Sequence, residues 1–310
     1  MNSETETNKN ATLISIGIPT YNRPDELRRT LAEITNQTYS HLEIIISDNA
    51  STNIEVEKVI REFMAKDARI QYFRQEKNIG INLNFQFVME KASGEYFMWA
   101  ADDDWHEPNF VEALWHEISS DESAVVAFCD FDSRDYMGQP VSGFPHFMSA
   151  MHVMTDPSRV LRQIRFFMLK EGTAKPHSIY GLIRRRVLSG FSWPHFVEKY
   201  GWNGADALFV FWLMTKGRLA LNEQRLFGCT VGNRKDYVDG KAKWGVRRYL
   251  IFIAQQVRYL LSYLIIAHGL TRVILIVLLP WKLLGIANLF AIKPGVNYLR
   301  RKFLSSKATQ

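Results

Sequence analysis

The stretch Leu13-Ile14-Ser15-Ile16-Gly17-Ile18-Pro19-Thr20-Tyr21-Asn22-Arg23-Pro24 decides the fold class. An apolar run closed by a proline predicts a buried strand over 13–18, with Pro19 ending it. Pro24 suits the first turn of a helix, and Leu27, Leu31 and Ile34 repeat at the spacing that buries one helical face. The same alternation continues outward. Strands are predicted over 42–48, 70–73, 96–100 and 124–128, and helices around Val56, Ile60 and Phe63, over 82–91, and around Phe110, Leu114 and Ile118. Strands alternating with short helices predict an α/β fold, a mostly parallel Rossmann-like sheet with helices on both faces.

Beyond residue 130 the signal thins. Five glycines and prolines between 138 and 157 predict a loop-rich insertion over 131–175, broken by a helix at 161–169. A return strand over 177–183, a helix over 206–215 and a last strand over 218–221 complete the expected body. Charge divides the chain at the same end. It has 310 residues and a net charge of +6, yet residues 241–310 hold twelve Lys or Arg and no acid, which leaves residues 1–240 at −6. We therefore expect a globular domain over 1–240 and a basic, apolar helical segment over 241–310.

A composition 47% hydrophobic and 23% charged excludes a disordered or fibrous chain. An acidic body excludes a nucleic-acid binder, so none is expected as partner. Cys129 and Cys229 make neither a disulfide framework nor a zinc spacing, and read as core residues of a reducing compartment. The polar first ten residues lack the apolar core of a secretory signal, which places the working end in the cytoplasm.

Ligands of open parallel sheets sit beyond the carboxyl ends of the strands. At the end of the first strand, Pro19-Thr20-Tyr21-Asn22-Arg23-Pro24 offers an aromatic ring and hydroxyls instead of a glycine-rich phosphate loop, which argues against dinucleotide oxidoreductases and P-loop enzymes. At the end of the second, Asp48 in Ser47-Asp48-Asn49-Ala50-Ser51 either accepts from a pyrimidine ring N–H or caps the following helix. After the strand at 96–100 come Asp102, Asp103 and Asp104, then Trp105. Three adjacent carboxylates repel one another unless a cation neutralises them, and such oxygen-rich clusters suit Mg2+ or Mn2+ shared with substrate phosphates. The alternative is a solvated turn in which Asp104 caps a helix starting near Pro108.

The segments PTYNRP (19–24), SDNAS (47–51), KNIG (77–80) and ADDDW (101–105), in this order and spacing, resemble family 2 glycosyltransferases of the GT-A fold. The resemblance implies inverting transfer of a sugar from a nucleotide-diphosphate donor, a UDP-sugar foremost, to an acceptor hydroxyl. It assigns Pro19, Thr20, Tyr21, Asn22, Asp48, Asn49, Gly80, Asn84, Asp102 and Asp103 to nucleotide-sugar binding, and Asp104 with Asp102 to a Mn2+ or Mg2+ cofactor. Ala101 stands where the family is often acidic, which leaves open which of the three aspartates is the principal ligand. The resemblance also implies a catalytic carboxylate opening a helix in the second half, and Asp206, in Gly201-Trp202-Asn203-Gly204-Ala205-Asp206, matches it. An inverting displacement needs such a base beside the acceptor hydroxyl; the alternative for Asp206 is a helix cap.

Several residues carry a blander alternative. Trp202 stacks on a sugar face or is a buried loop aromatic, and His177 is a core or edge histidine. Arg184, Arg185 and Arg186 face phosphate, membrane or solvent, and Arg234 and Lys235 face the diphosphate or solvent. In the tail, Arg248, Gln255 and Ser262 recur every seven residues on an otherwise apolar helix. Helices lying in the cytoplasmic membrane interface, against anionic lipid, have this composition; a helical cap on the body or an oligomer interface is the alternative. Residues 273–292 span, re-enter or lie on the bilayer. The expected acceptor is then a saccharide, lipid-linked through a polyprenyl diphosphate, and the expected location is the cytoplasmic face of the cell membrane. A nucleotidyltransferase and a catalytically silent membrane adaptor are the competing functions; the missing glycine loop disfavours the first and the intact acidic run the second.

Overall fold

The computed structural model describes residues 12–135, 137–144, 146–170, 173–230 and 246–284. The chain opens with β1 (Ile14–Thr20), α1 (Pro24–Thr35), β2 (Leu42–Asp48), α2 (Ile54–Met64), β3 (Ile70–Arg74), α3 (Ile81–Lys91) and β4 (Tyr96–Trp99). β3, β2, β1 and β4 lie side by side and all run parallel. Every residue of β1, β2 and β4 is buried, as parallel strands covered by helices on both faces require. α1 buries Leu27, Leu31 and Ile34, the stripe its periodicity predicts.

Next come β5 (Trp105–His106), α4 (Phe110–Ser119), β6 (Ala124–Arg134) and β7 (Pro140–Gly143). They are followed by α5 (Phe147–Met151), α6 (Arg159–Met168), β8 (Leu182–Arg184), α7 (Trp193–Tyr200), α8 (Ala205–Lys216) and β9 (Arg218–Thr230). The full sheet order is β3-β2-β1-β4-β8-β6-β9-β5, with β7 on β6. β8 is antiparallel to both β4 and β6, so a single reversed strand joins the parallel half to the parallel β6–β9 pair. The result is a mixed α/β fold, one sheet flanked by helices.

Five expectations need correction. β1 does not stop before Pro19 but runs through it to Thr20, opposite Ser47 and Asp48. The ladder to β4 ends at Gly17. Strand alternation turns Pro19 to that same, now vacated side, so its missing N–H costs no ladder bond. The segment 131–175 is not loop-rich: the extended β6, β7, α5 and α6 occupy most of it. The expected strand over 177–183 is a 3-10 turn, Lys175–Tyr180, followed by only three strand residues. β9 runs to Thr230 rather than 221, because its second half pairs with β6 and β5. Of the arginine triplet, Arg184 is buried, and it donates to Tyr96 Oη and to the carbonyls of Ala124 and Ile118. Three adjacent charges signal solvent only when none of them finds such a set of acceptors.

α9 (Val246–Ile266) packs one face on the body. Tyr259, Leu260, Tyr263 and Ile266 are buried, and the Tyr263 ring lies 4.8 Å from Phe211 of α8 and 5.4 Å from Phe167 of α6. Buried Lys175 sets its ammonium 5.0 Å from the Phe166 ring and 5.4 Å from that of Tyr263. The opposite face exposes Val257, Leu261 and Ile265, and a further helix over 269–284 exposes Val273, Val277 and Trp281. Among the described residues no helix is long and apolar enough to cross a membrane. Arg234, Lys235 and the basic end around 300–302 lie outside the described residues.

Candidate active site

The carboxyl ends of β1, β2 and β4 open on a cavity of about 480 Å3. Its wall includes Pro19, Thr20 and Tyr21 from the β1 loop, Asn49 from the β2 loop, Asn84 from α3, and Asp102 and Asp103 beyond β4. The loops are tied to each other before any ligand is considered. Asn22, at φ 57°, accepts through Oδ1 from the backbone N–H groups of Thr52 and Asn53, so it clamps the two loops together and is not among the wall residues. Asn49 donates to Asn78 Oδ1 and accepts from the Ile79 N–H. Gly80, at φ 83°, starts α3 in a conformation that favours glycine. Asn84 exchanges hydrogen bonds with Ser47.

Asp48 is fully buried. Its carboxylate accepts from the Ser51 N–H at 2.8 Å and the Tyr72 hydroxyl at 3.3 Å, with Arg74 3.5 Å away. The cap of α2 is Asn53 instead, whose side chain accepts from the Glu55 N–H. Asp48 is thus buried and not among the wall residues, whereas its neighbour Asn49 is.

The acidic run is pinned from three directions. Asp102 accepts from the Thr20 hydroxyl and from Arg23 Nη1, both at 2.8 Å. Burial nevertheless pushes its carboxyl up to about 6, against the pull of Arg23. Asp103 lies 3.5 Å from Arg23. Asp104 is buried and caps no helix: Trp105 and His106 after it form β5 on β9, and its Oδ1 accepts from the Thr230 N–H at 3.1 Å. Burial first, then the neighbouring Asp103, raises the Asp104 carboxyl well above the carboxylate range. The Thr230 hydroxyl donates to the Asp103 carbonyl and Arg29 donates to it as well, while the Arg29 guanidinium stacks 3.7 Å over the Trp105 ring.

This donor set fits a hard divalent cation. Asp102 and Asp103 line one cavity wall, the adjacent Asp104 is buried, and burial disfavours the ionised form of both Asp102 and Asp104, which added positive charge would restore. Among the described residues no group of three or more His, Cys, Asp or Glu side chains is arranged to hold a metal ion by itself.

A second cavity, about 340 Å3, adjoins the first. The two share Ile81, Phe85 and Tyr180. Asp206 lines the second cavity from the first turn of α8, where Gly204 is the cap and where the Asp206 carboxylate accepts from the Ala207 N–H. Trp202 stands on the rim, 59% exposed, so it is not the buried loop aromatic of the bland alternative. His177 is a core-edge residue stacked on Phe131 at 4.4 Å.

Reading the sequence residue by residue misses Tyr180. Its ring stacks on Phe227 and forms wall in both cavities, and its hydroxyl is raised well above the ordinary phenol value by burial, then by Asp104, Asp103, Asp206 and Asp102. One phenol therefore feels the acidic run and Asp206 together. No local signal marks it, because it lies inside the stretch 177–183 that reads as strand. Arg23 was in plain view inside the first motif, but only the fold aims it at Asp102.

Comparison with known proteins agrees with this geometry. The family model described as glycosyl transferase family 2 matches residues 15–191, more than half of the chain. A relative from Campylobacter jejuni, GalNAc(5)-diNAcBac-PP-undecaprenol beta-1,3-glucosyltransferase, is 29% identical over 131 residues, 42% of this chain and 42% of its own. The solved structure of S. aureus TarS 1-349 in complex with UDP aligns with TM-score 0.59 at 14% identity, covering 87% of both chains. The mannosyltransferase PcManGT from Pyrobaculum calidifontis, in complex with GDP-Man and Mn2+, aligns with TM-score 0.55 at 15% identity, covering 90% of this chain and 74% of that one. At these identities the structural likeness establishes the fold. The chain spans between 15% and 42% of the length of the first curated relatives it matches.

Proposed function

The chain belongs to glycosyl transferase family 2, and on that footing we propose that it moves a sugar from a nucleotide-diphosphate donor, a UDP-sugar, to the hydroxyl of a lipid-linked saccharide. The observation that carries this reading is Tyr180, which with Ile81 and Phe85 forms the wall common to the cavity of Asp102 and Asp103 and the cavity of Asp206. A donor and an acceptor can meet across it.

In this reading Tyr21, Asn49 and the β2 end at Asp48 receive the nucleoside. Asp102, Asp103 and Asp104 are the residues that would hold Mn2+ or Mg2+. When bound, that ion offsets the charge building on the leaving diphosphate. Thr20, Arg23 and Thr230 fix the carboxylates in place, so little reorganisation is needed as charge moves. Asp206 takes the proton from the acceptor hydroxyl as that oxygen attacks the anomeric carbon, on the face opposite the departing diphosphate. A single displacement of this kind inverts the anomeric centre. Gly204 and the α8 first turn set the base on a rigid element, which such a transfer needs.

The exposed apolar faces of α9 and of 269–284, within an acid-free and basic segment, support attachment to the anionic cytoplasmic face of a membrane. A lipid-linked acceptor is supported by the Campylobacter jejuni relative, whose name specifies an undecaprenol diphosphate. The test is a screen of nucleotide sugars against polyprenyl-diphosphate-linked saccharides with Mn2+ or Mg2+, watching release of nucleoside diphosphate. Release that requires donor, acceptor and divalent ion supports the reading; no release from any pair overturns it.

A further inference from the structure

A third concavity continues the line of the first two. It is a groove of about 180 Å3 between the loop before α8 and α9, lined by Tyr200, Gly201, Trp202, Asn203, Gln255 and Arg258. Trp202 and Asn203 also line the cavity of Asp206, so the groove is that cavity's continuation toward the tail.

α9 is built into this loop rather than resting near it. Gly201, at φ 94°, lies so close to Arg258 that a Cβ would sit 3.3 Å from its Nε. Gly204, at φ 70°, lies so close to Tyr259 that a Cβ would meet its ring at 2.5 Å. The Ser262 hydroxyl reaches the Tyr200 carbonyl. The Arg258 guanidinium is anchored by Nη2 alone, which donates to the carbonyls of Glu198 and Lys199 at 2.7 and 3.2 Å. Its Nε and Nη1 make no hydrogen bond to the described residues. The nearby Glu198 carboxylate is 83% exposed, with His195 4.0 Å away. Among the described residues that line the groove, none is acidic.

Polarity along the line is ordered. Asp206 wants a hydroxyl, exposed Arg258 presents Nε and Nη1 with no acceptor among the described residues, in the fork that suits phosphate oxygens, and just past it the outer face of α9 exposes Val257, Leu261 and Ile265. We propose that the groove at Gln255 and Arg258 is a binding site for the phosphate linkage of a polyprenyl-diphosphate-linked acceptor. Its saccharide lies toward Asp206, and its lipid chain runs along the outer face of α9. This rests on the glycosyl-transfer reading and deepens it: the tail helix is part of the acceptor site as well as a contact with lipid. It also narrows the acceptor to one whose attacked sugar lies close to its diphosphate.

The probe is farnesyl diphosphate, titrated calorimetrically into the full chain without divalent ion and with excess UDP. Binding is expected, with farnesol, which lacks phosphate, binding more weakly. Arg258→Ala should weaken it at least about tenfold, the scale of one lost charge-assisted contact, and Arg258→Lys should recover part of the loss. Because Arg258 also holds the end of α7, Gln255→Glu is the second variant: it leaves those carbonyl bonds alone, sets a carboxylate in the groove, and should weaken binding too. Affinity unchanged in both Arg258→Ala and Gln255→Glu overturns the proposal, as does displacement of farnesyl diphosphate by UDP. So does a result in which Arg258→Ala loosens attachment to phosphatidylglycerol vesicles but leaves farnesyl diphosphate binding intact, since Arg258 then serves the bilayer. Failure of donor turnover with every acceptor would strike the glycosyl-transfer reading alone, because this binding is measured without donor sugar or transfer.

Discussion

The backbone N–H of Thr230 donates to Asp104 Oδ1 at 3.1 Å, joining the last residue of β9 to the acidic run 126 residues earlier in the chain. The Thr230 hydroxyl donates in turn to the Asp103 carbonyl and accepts from Trp105 Nε1 at 3.1 Å. Replacing Thr230 by Val keeps the N–H bond and deletes both hydroxyl bonds, leaving the indole N–H short of a partner. We expect a loss of about 1–3 kcal/mol in urea unfolding, with Thr230→Ser near wild type. Equal stability of Val and Ser variants would show that the hydroxyl holds nothing.

Asp104→Ala is expected to lower transfer by about 10²–10³-fold and to abolish the dependence of nucleotide-sugar binding on Mn2+ or Mg2+. Calorimetric titration of donor with and without the ion reads this directly. Ion-dependent binding that survives in Asp104→Ala would move the principal ligand to Asp102 or Asp103.

Asp206→Asn should leave donor binding near wild type while kcat falls about 10²–10⁴-fold, since only the proton acceptor is lost. Donor affinity that collapses along with kcat would place Asp206 in the nucleotide site.

Gly204→Ala sets a methyl where the Tyr259 ring stands and asks an alanine to hold φ 70°. The α8 first turn must shift, carrying Asp206 with it. We expect a fall in kcat larger than any change in donor affinity, and partial rescue when Tyr259→Ala makes room. Without rescue, backbone strain rather than the ring contact would account for the loss.

Glu43 predicts a pH dependence away from the chemistry. Burial pushes its carboxyl up, but hydrogen bonds from Ser15, Ser93 and Gly94 outweigh it and hold the group below its ordinary value. A lowered folded-state value means stabilisation present above the unfolded value of about 4.3 and lost as pH falls through the lower, folded one. Glu43→Gln should therefore cost about 2 kcal/mol near neutrality, and the gap to wild type should close in acid. A gap constant with pH would refute the assignment.

Charge placed on the outer tail face tests membrane attachment. Leu261→Asp and Val277→Asp sit on exposed positions and should reduce pelleting with phosphatidylglycerol vesicles without lowering the melting temperature. Deleting the chain after residue 240 tests something else, since it would strip Tyr263 and Leu260 from the core. Vesicle binding untouched by both charges would leave the apolar faces to another partner.

The first half of the fold was legible in the sequence because its signals are local. Fully buried parallel strands read as apolar runs, and α1 and α4 as periodic stripes, so the order from β1 to α4 follows from counting, apart from the two-residue β5, which only its pairing with β9 creates. The motifs at 19–24, 47–51 and 101–105 lie at ends of neighbouring parallel strands, and sheet geometry alone carries them to one edge. Tertiary structure decided the rest. That Asp48 is buried while Asn49 forms wall depends on the partners, Ser51, Tyr72 and Arg74, that take up the carboxylate. That Tyr180 joins two cavities and that α9 packs against the loop before Asp206 depends on contacts between segments far apart in the chain. A local pattern records the face that a residue must bury, but nothing in it records what it will be buried against.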